Sequence, residues 1–375
     1  MDIAVPRETD RNERRVGLTP WAVGQLVRLG HAVVVEADAG RSARFPDREY
    51  ELAGATIVYS RDEALKRADL ICGVSLVAGS DLERLEPGVT VAGFHHLAVA
   101  PRATIVRLRE LRITAIGYEL IQDARGRRAV LTPISEMAGA VAVFAAAHYL
   151  QNAGGGRGIL LAMVPGIAPP TVLVLGAGTV GRAAAARALA MGAHVIVLDE
   201  DLDKLRAVNR DVGRQVVTQL VTADRLARFT SIADVVIGAI LIPGARAPFL
   251  VTEQMVRGMR AGSVIVDVSI DQGGCVETSR PTTLDDPVYV VHDVVHYCVP
   301  NMTANIARTA SRALSDALLA PITALAGKGI AAALRDDPGL AEGVYLYRGT
   351  VVHEELARVL GERPEPLASL VAVEA

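Results

Sequence analysis

Short apolar runs recur along this chain at intervals that suit strands alternating with helices. Residues 2–6 (Asp-Ile-Ala-Val-Pro) open as a strand, and Thr19-Pro20 then predicts a helix through Leu29, with Thr as N-cap and Pro in the first turn. Gly30-His31 turns the chain into a strand over 32–36. The alternation continues with a helix over 61–68, strands over 70–74 and 89–94, a helix over 103–111 and a strand over 114–118. This series predicts an open α/β domain with a mostly parallel sheet. One long helix is expected over 134–153, ended by Gly154-Gly155-Gly156, and a loop over 158–170 leads to a second α/β set over 171–301. A further long helix over 304–325 follows, and 327–375 returns to mixed, more polar sequence. Two long helices flanking the second set predict a first domain made by both ends of the chain, with the second domain inserted.

Composition narrows the class. A chain of 375 residues can bury two cores. Hydrophobic content of 51% with only 4% aromatics means cores of Ala, Val and Leu, as in parallel sheets covered on both faces. A net charge of -3 makes no electrostatic case for nucleic acid or an anionic membrane. The first ten residues carry Asp2, Arg7, Glu8 and Asp10, unlike a signal peptide, and the Ala-rich run 137–150 is too short to span a bilayer. Cys72, Cys275 and Cys298 form no C-x-x-C pair and cannot all be bridged, which fits a reduced cytoplasm. His292 and His296 have i, i+4 spacing, but Val290-Val291 and Pro300 argue against a helix there, so no metal site is expected.

The candidate chemistry begins with Gly176-Ala177-Gly178-Thr179-Val180-Gly181, directly behind the apolar run Thr171-Val172-Leu173-Val174-Leu175. Gly176 permits a tight turn, Gly178 lets the backbone approach a pyrophosphate, and Gly181 lets the following helix, expected over 182–191, pack against the strand. His194-Val195-Ile196-Val197-Leu198 then delivers Asp199, where a carboxylate can bind a ribose 2′-hydroxyl and would repel a 2′-phosphate. The unit predicts a nicotinamide-dinucleotide site that prefers NAD to NADP.

Four further clusters stand out. Pro6-Arg7-Glu8 through Asn12-Glu13-Arg14-Arg15-Val16 places arginines at the carboxyl end of the first strand, the edge where open α/β sheets bind ligands; the guanidinium fork suits a carboxylate. His95-His96 ends an apolar strand, and an imidazole is the usual proton donor when hydride adds to a carbonyl or imine. Neighbouring strand residues point to opposite faces, so one of the two can face a given cleft. Residues 264–274 read as a strand ending in Asp271 and glycines, with Asp271 emerging beside the cofactor, and Cys298-Val299-Pro300-Asn301-Met302 is a polar turn before the last long helix.

Taken in order, these segments, together with Gly30-His31, Ser135-Glu136-Met137-Ala138-Gly139, Gly155-Gly156-Arg157-Gly158 and Ser279-Arg280-Pro281-Thr282-Thr283, resemble the alanine dehydrogenase family, whose relatives include the soluble part of the proton-pumping transhydrogenase. The resemblance implies two Rossmann-like domains: a substrate domain from 1–129 and 305–375, and an NAD-binding domain over 130–304. It implies a homo-oligomer, a hexamer or dimer, acting on a small-molecule substrate. By the same resemblance Arg15 anchors the substrate carboxylate, His96 relays the proton, Asp271 is the partner acid and Asn301 contacts substrate or nicotinamide. Ser135, Gly176, Gly178, Thr179, Val180, Gly181, Asp199 and Lys204 fall on the cofactor.

One position departs. Where the family has Lys-x-Lys-Glu-Pro, this chain reads Gly73-Val74-Ser75-Leu76-Val77, so Ser75 stands in place of the lysine that contacts substrate oxygen. The only lysines are Lys66, Lys204 and Lys328, none a ready substitute. The expectation is an NAD-dependent oxidoreductase acting on an amino acid, imino acid or related amine or keto acid, with an altered substrate choice. The alternatives are a non-catalytic NAD-binding homologue, or a true L-alanine dehydrogenase in which an arginine such as Arg14 replaces the lysine.

Overall fold

The computed structural model describes residues 1–75, 79–241 and 247–372. The chain forms two compact units, residues 1–134 with 304–375, and residues 135–303. The division falls inside the helix Leu131–Tyr149 and not ahead of it.

The first unit holds β1 (Asp2–Val5), β2 (Ala32–Glu36), β3 (Thr56–Val58), β4 (Leu70–Ser75), β5 (Thr90–Phe94) and β6 (Thr114–Gly117). The second holds β7 (Thr171–Leu175), β8 (His194–Asp199), β9 (Val217–Leu220), β10 (Val235–Gly238), β11 (Val264–Asp267), β12 (Val288–Val291) and β13 (Val294–Tyr297). The chain then returns to the first unit with β14 (Val344–Tyr347) and β15 (Thr350–Val351). The sheet orders are β15-β14-β6-β5-β4-β1-β2-β3 and β12-β13-β11-β10-β7-β8-β9. In both, the first strand lies mid-sheet with the chain winding outward to either side, the doubly wound Rossmann-like order. All pairings among β1–β6 and β7–β11 are parallel, as is β11 with β13; β12, β14 and β15 add antiparallel edges.

The apolar runs divide by alternation. Val172, Val174, Val195 and Val197 point into one core of the second unit, while Leu173, Leu175, Ile196 and Leu198 point into the core on the opposite face. A strand buried on both faces therefore reads as an unbroken apolar run.

Several local expectations shift. The helix behind the glycine turn begins at Thr179 and ends at Ala190, and the later long helix is Ala307–Lys328. Thr19 does not cap the helix Pro20–Arg28 with its side chain; its amide donates to the Ser315 hydroxyl at 3.0 Å, and the two hydroxyls are hydrogen-bonded. The helix Leu131–Tyr149, at 19 residues, is long and apolar enough to cross a bilayer by length and composition, although Ala142, Val143 and Ala146 on it are fully buried in the protein core. Core helices of globular proteins share these properties.

Candidate functional site

At the end of β7 the glycines do three different things. Gly176 sits at φ +102, and a Cβ there would come 2.5 Å from the Ala239 carbonyl oxygen. A Cβ on Gly181 would overlap the Gly176 carbonyl oxygen, so helix and turn touch through backbone. A Cβ on Gly178 would meet nothing within 4 Å. That open space lies over the start of the helix Thr179–Ala190, whose first intrahelical bond runs from the Arg182 amide to the Gly178 carbonyl. The amides of Thr179, Val180 and Gly181 precede it and lack intrahelical partners. Gly139, on the helix Leu131–Tyr149, packs so tightly against Val180 and Ala183 that a Cβ there would overlap the Val180 carbonyl.

Asp199 ends β8 and is buried. Its Oδ2 accepts the Ala177 amide at 2.6 Å and its Oδ1 the Asp201 amide at 2.8 Å. The carboxylate thus braces the glycine turn while keeping further lone pairs for a ligand's hydroxyls. An open cradle over free amides, beside a buried carboxylate, fits a dinucleotide's pyrophosphate and ribose. Lys204 is exposed, and its amide joins the Asp201 cap at 3.3 Å; its ammonium forms no ion pair among the described residues. Ser135 is half-buried near the start of the helix Leu131–Tyr149.

Asp271 is not at a strand end. β11 stops at Asp267, which is fully buried and whose carboxylate accepts the amides of Ser269, Cys275 and Val276. Those bonds curl the chain into the 3-10 turn Val268–Gln272, and Asp271 lies in that turn. Its Oδ1 accepts the Asn301 amide at 3.1 Å, with Asn301 at φ 49, so Asp271 and Asn301 are neighbours.

In the first unit, Arg15, Ser75 and His96 gather at the carboxyl edge of β1, β4 and β5, adjacent strands in the sheet. The loop after β1 is pinned by the helix Ala307–Lys328, where the Ser311 hydroxyl takes the Val16 amide at 3.0 Å. Arg15 is buried and held by Glu13, Nε to Oε1 at 2.8 Å and Nη2 to Oε2 at 2.6 Å. Its guanidinium lies 5.8 Å from the centre of the Phe94 ring, and the His96 ring is stacked with Phe94 at 6.3 Å.

Ser75 lies where β4 slips register against β5, between Cys72 and Ser75. The amides released there go to Glu8, Val74 to Oε1 at 2.6 Å and Ser75 to Oε2 at 3.3 Å. Burial pushes the Glu8 carboxyl above its ordinary range, these amides pull it partly back, and Glu13 adds to the rise. No cationic side chain pairs with Glu8 among the described residues. Leu76 and Val77, also in the divergent segment, lie outside the described residues.

The two histidines separate, for a reason other than strand alternation. β5 ends at Phe94; His95 is buried with Nε2 3.2 Å from the Val91 carbonyl, and burial lowers its pKa. His96 adopts the left-handed conformation at φ 44, which leaves its side chain half exposed. Its amide donates to Glu119 Oε1 at 2.6 Å. His292 and His296 serve elsewhere, His292 Nε2 2.8 Å from Glu253 and His296 Nε2 2.8 Å from the Thr278 hydroxyl, and no group of three or more potential ligands suited to a metal occurs among the described residues.

Glu8, Glu13 and Glu119 were not singled out from sequence. Glu13 carried a signal in its i, i+2 spacing from Arg15 within one loop; Glu8 and Glu119 reach their partners only across the sheet.

Comparison with known proteins covers nearly the whole chain. Residues 4–138 match the family model described as alanine dehydrogenase/PNT, N-terminal domain, and residues 142–354 the C-terminal domain of the same family. Among curated proteins, the chain is 41% identical to an alanine dehydrogenase of Mycobacterium tuberculosis (99% of this chain, 100% of that protein) and 43% identical to one of Halomonas elongata (99% and 100%). A solved L-alanine dehydrogenase superposes with a TM-score of 0.90 at 38% identity, covering 96% of this chain and 99% of that one.

Proposed function

The chain belongs to the alanine dehydrogenase/PNT family, and we propose that within it this NAD-dependent amino-acid dehydrogenase takes a substrate that brings its own positive charge to the reacting centre. NAD, when bound, supplies the hydride acceptor. The glycine turn and the amides of Thr179, Val180 and Gly181 would hold its pyrophosphate, and Asp199 the adenosine ribose, with Lys204 and Ser135 on the same cofactor. This assigns cofactor binding to the inserted unit and substrate binding to the unit made by both chain ends.

Arg15, fixed in place by Glu13, anchors the substrate carboxylate through its planar fork. His96 takes or returns the proton at the substrate's polar group. Asp271 is the partner acid at the reacting carbon and Asn301 a substrate or nicotinamide contact.

The observation that carries the altered substrate choice is Ser75 lying against Glu8. By the family resemblance Ser75 stands where a lysine is expected, and a buried carboxylate remains without a cationic partner among the described residues. An iminium, a secondary amine or a substrate with a second ammonium would neutralise it. A positioned cation contributes roughly 3–4 kcal/mol to transition-state stabilisation, so L-alanine without one should turn over some hundreds of times more slowly than a fitted substrate. Sequence identity to alanine dehydrogenases favours a second reading, L-alanine itself as substrate.

Following reduced nicotinamide by absorbance decides between the two. Amino acids are oxidised, and keto acids are reduced with ammonia or with amines. The proposal expects faster turnover with amine-derived or doubly cationic substrates than with L-alanine, and a rise of tenfold or more on alanine in Ser75→Lys. Wild-type alanine turnover that exceeds every other substrate would overturn it. The homo-oligomer belongs to the same reading and is read by light scattering.

A further inference from the structure

We propose that Glu119 is the positioning residue of His96, holding the imidazole for proton transfer through its backbone and its charge; this rests on the assignment of His96 as the proton relay. Glu119 follows β6, the strand next to β5, and is 4% exposed. Its Oε1 accepts the His96 amide at 2.6 Å and lies 3.8 Å from His96 Nδ1. A left-handed backbone is uncommon at a residue other than glycine, and it is kept where surrounding contacts favour it. The bond from the His96 amide to a buried carboxylate is such a contact, and it turns the ring out of the strand's alternation.

The carboxylate is itself held. The Tyr345 hydroxyl donates to the same Oε1 at 2.8 Å from β14, which pairs with β6. Gly117 makes room, since a Cβ there would stand 2.9 Å from Oε1 and 2.5 Å from the Tyr345 ring. Glu119 Oε2 is buried without a protein hydrogen-bond partner among the described residues. Leaving a carboxylate oxygen buried and unpaired is costly in a fold that only had to be stable. A nearby imidazole that becomes positive during turnover uses that charge: a carboxylate facing Nδ1 leaves Nε2 for the substrate and stabilises the imidazolium when Nε2 accepts the proton. The proton stays on the imidazole and returns from it, and Glu119 remains a carboxylate throughout.

Glu119→Gln keeps an oxygen for the His96 amide and the Tyr345 hydroxyl but removes the charge. In the full-length protein it should lower kcat about tenfold or more, on the scale of partners that orient a working histidine, with KM and NADH affinity within a few-fold. At one fixed alkaline pH without substrate, the ring nitrogen NMR signals of His96 should report a proton held on Nδ1 in the wild type and a mixture of the two tautomers in Glu119→Gln. The other groups at this corner, His95 beside it, Arg15 near Phe94, and Tyr345 and His353 on the C-terminal segment, are the same in both forms, so the difference isolates the carboxylate. Glu119→Asp retains the charge one methylene further back and should recover part of the kcat lost in Glu119→Gln; it also serves as the second variant should the Gln form not fold. An unchanged His96 tautomer in Glu119→Gln would overturn the proposal, as would a kcat loss that merely tracks lost thermal stability. Failure of the His96 assignment reads differently: His96→Ala would keep its turnover while the tautomer change in Glu119→Gln persisted.

Discussion

Asp199→Ala tests the cofactor site most directly, because one carboxylate does two separable things. It accepts the amides of Ala177 and Asp201 at 2.6 and 2.8 Å while 7% exposed. Hydrogen bonds to a charged group contribute about 1.5–3 kcal/mol each, and water entering the vacated space would recover part, leaving a net loss of about 2–4 kcal/mol. For a unit of this size that lowers the melting temperature by roughly 5–15 °C. On the proposed assignment the same carboxylate binds the ribose hydroxyls, and losing a charged acceptor there should weaken NADH by about 10–100-fold. NADPH should weaken less or tighten, since repulsion of its 2′-phosphate disappears. Titrating both reduced cofactors by nicotinamide fluorescence, with a thermal melt of the same samples, separates the effects. If the melt falls but the ratio of NADH to NADPH affinity stays at the wild-type value, Asp199 is a brace for the turn and the recognition argument is wrong. Tighter NADPH than NADH binding in the wild type would refute it outright.

The two glycines beside it should part company: Gly178→Ala, built into open space, keeps the melting temperature and weakens NADH at least tenfold, whereas Gly181→Ala drives a methyl into the Gly176 carbonyl and costs about 1–3 kcal/mol or more in a denaturant melt. His96→Ala and Asp271→Asn should each lower turnover by about 100-fold, with NADH affinity within a few-fold, measured on the best substrate the screen finds. His95, His296 and His353 are each held below the ordinary imidazole range by burial. Between those folded values and about 6.5 the unfolded chain binds more protons, so stability is present at neutral pH and falls on acidification below about 6.5. Urea midpoints taken from pH 7.5 to 5 should show that slope, shallower in His95→Asn; a flat profile would contradict it.

The elements most legible in the sequence are those whose signal is local. The run 171–175, the three glycines and Asp199 encode strand, turn, helix and acid within thirty residues, because each needs only its near neighbours to take shape. The strands of both units were readable as apolar runs, since a parallel strand covered on both faces has no polar side to interrupt it. Element ends were less legible. Thr19 has the side chain of a cap, yet Ser315, nearly three hundred residues away, takes its hydrogen bonds. Asp271 looked like a strand end because nothing nearby marks Asp267, whose three amide partners curl the chain one turn earlier.

By itself, then, the sequence determined the two α/β units and the glycine turn with its acid, and the family resemblance offered Arg15, Ser75, His96, Asp271 and Asn301 as candidates to place. Only the tertiary structure decided what surrounds them. Glu8 meets Ser75 where β4 slips register, Glu13 closes on Arg15, and Glu119 turns His96 outward with Tyr345 behind it. The strand carrying Tyr345 lies in a stretch whose composition reads as polar and mixed, and it becomes a strand by pairing with β6. Side-chain periodicity reports which face of an element is buried, whereas a carboxylate's partner is chosen by strand order and register, which bring together residues far apart along the chain.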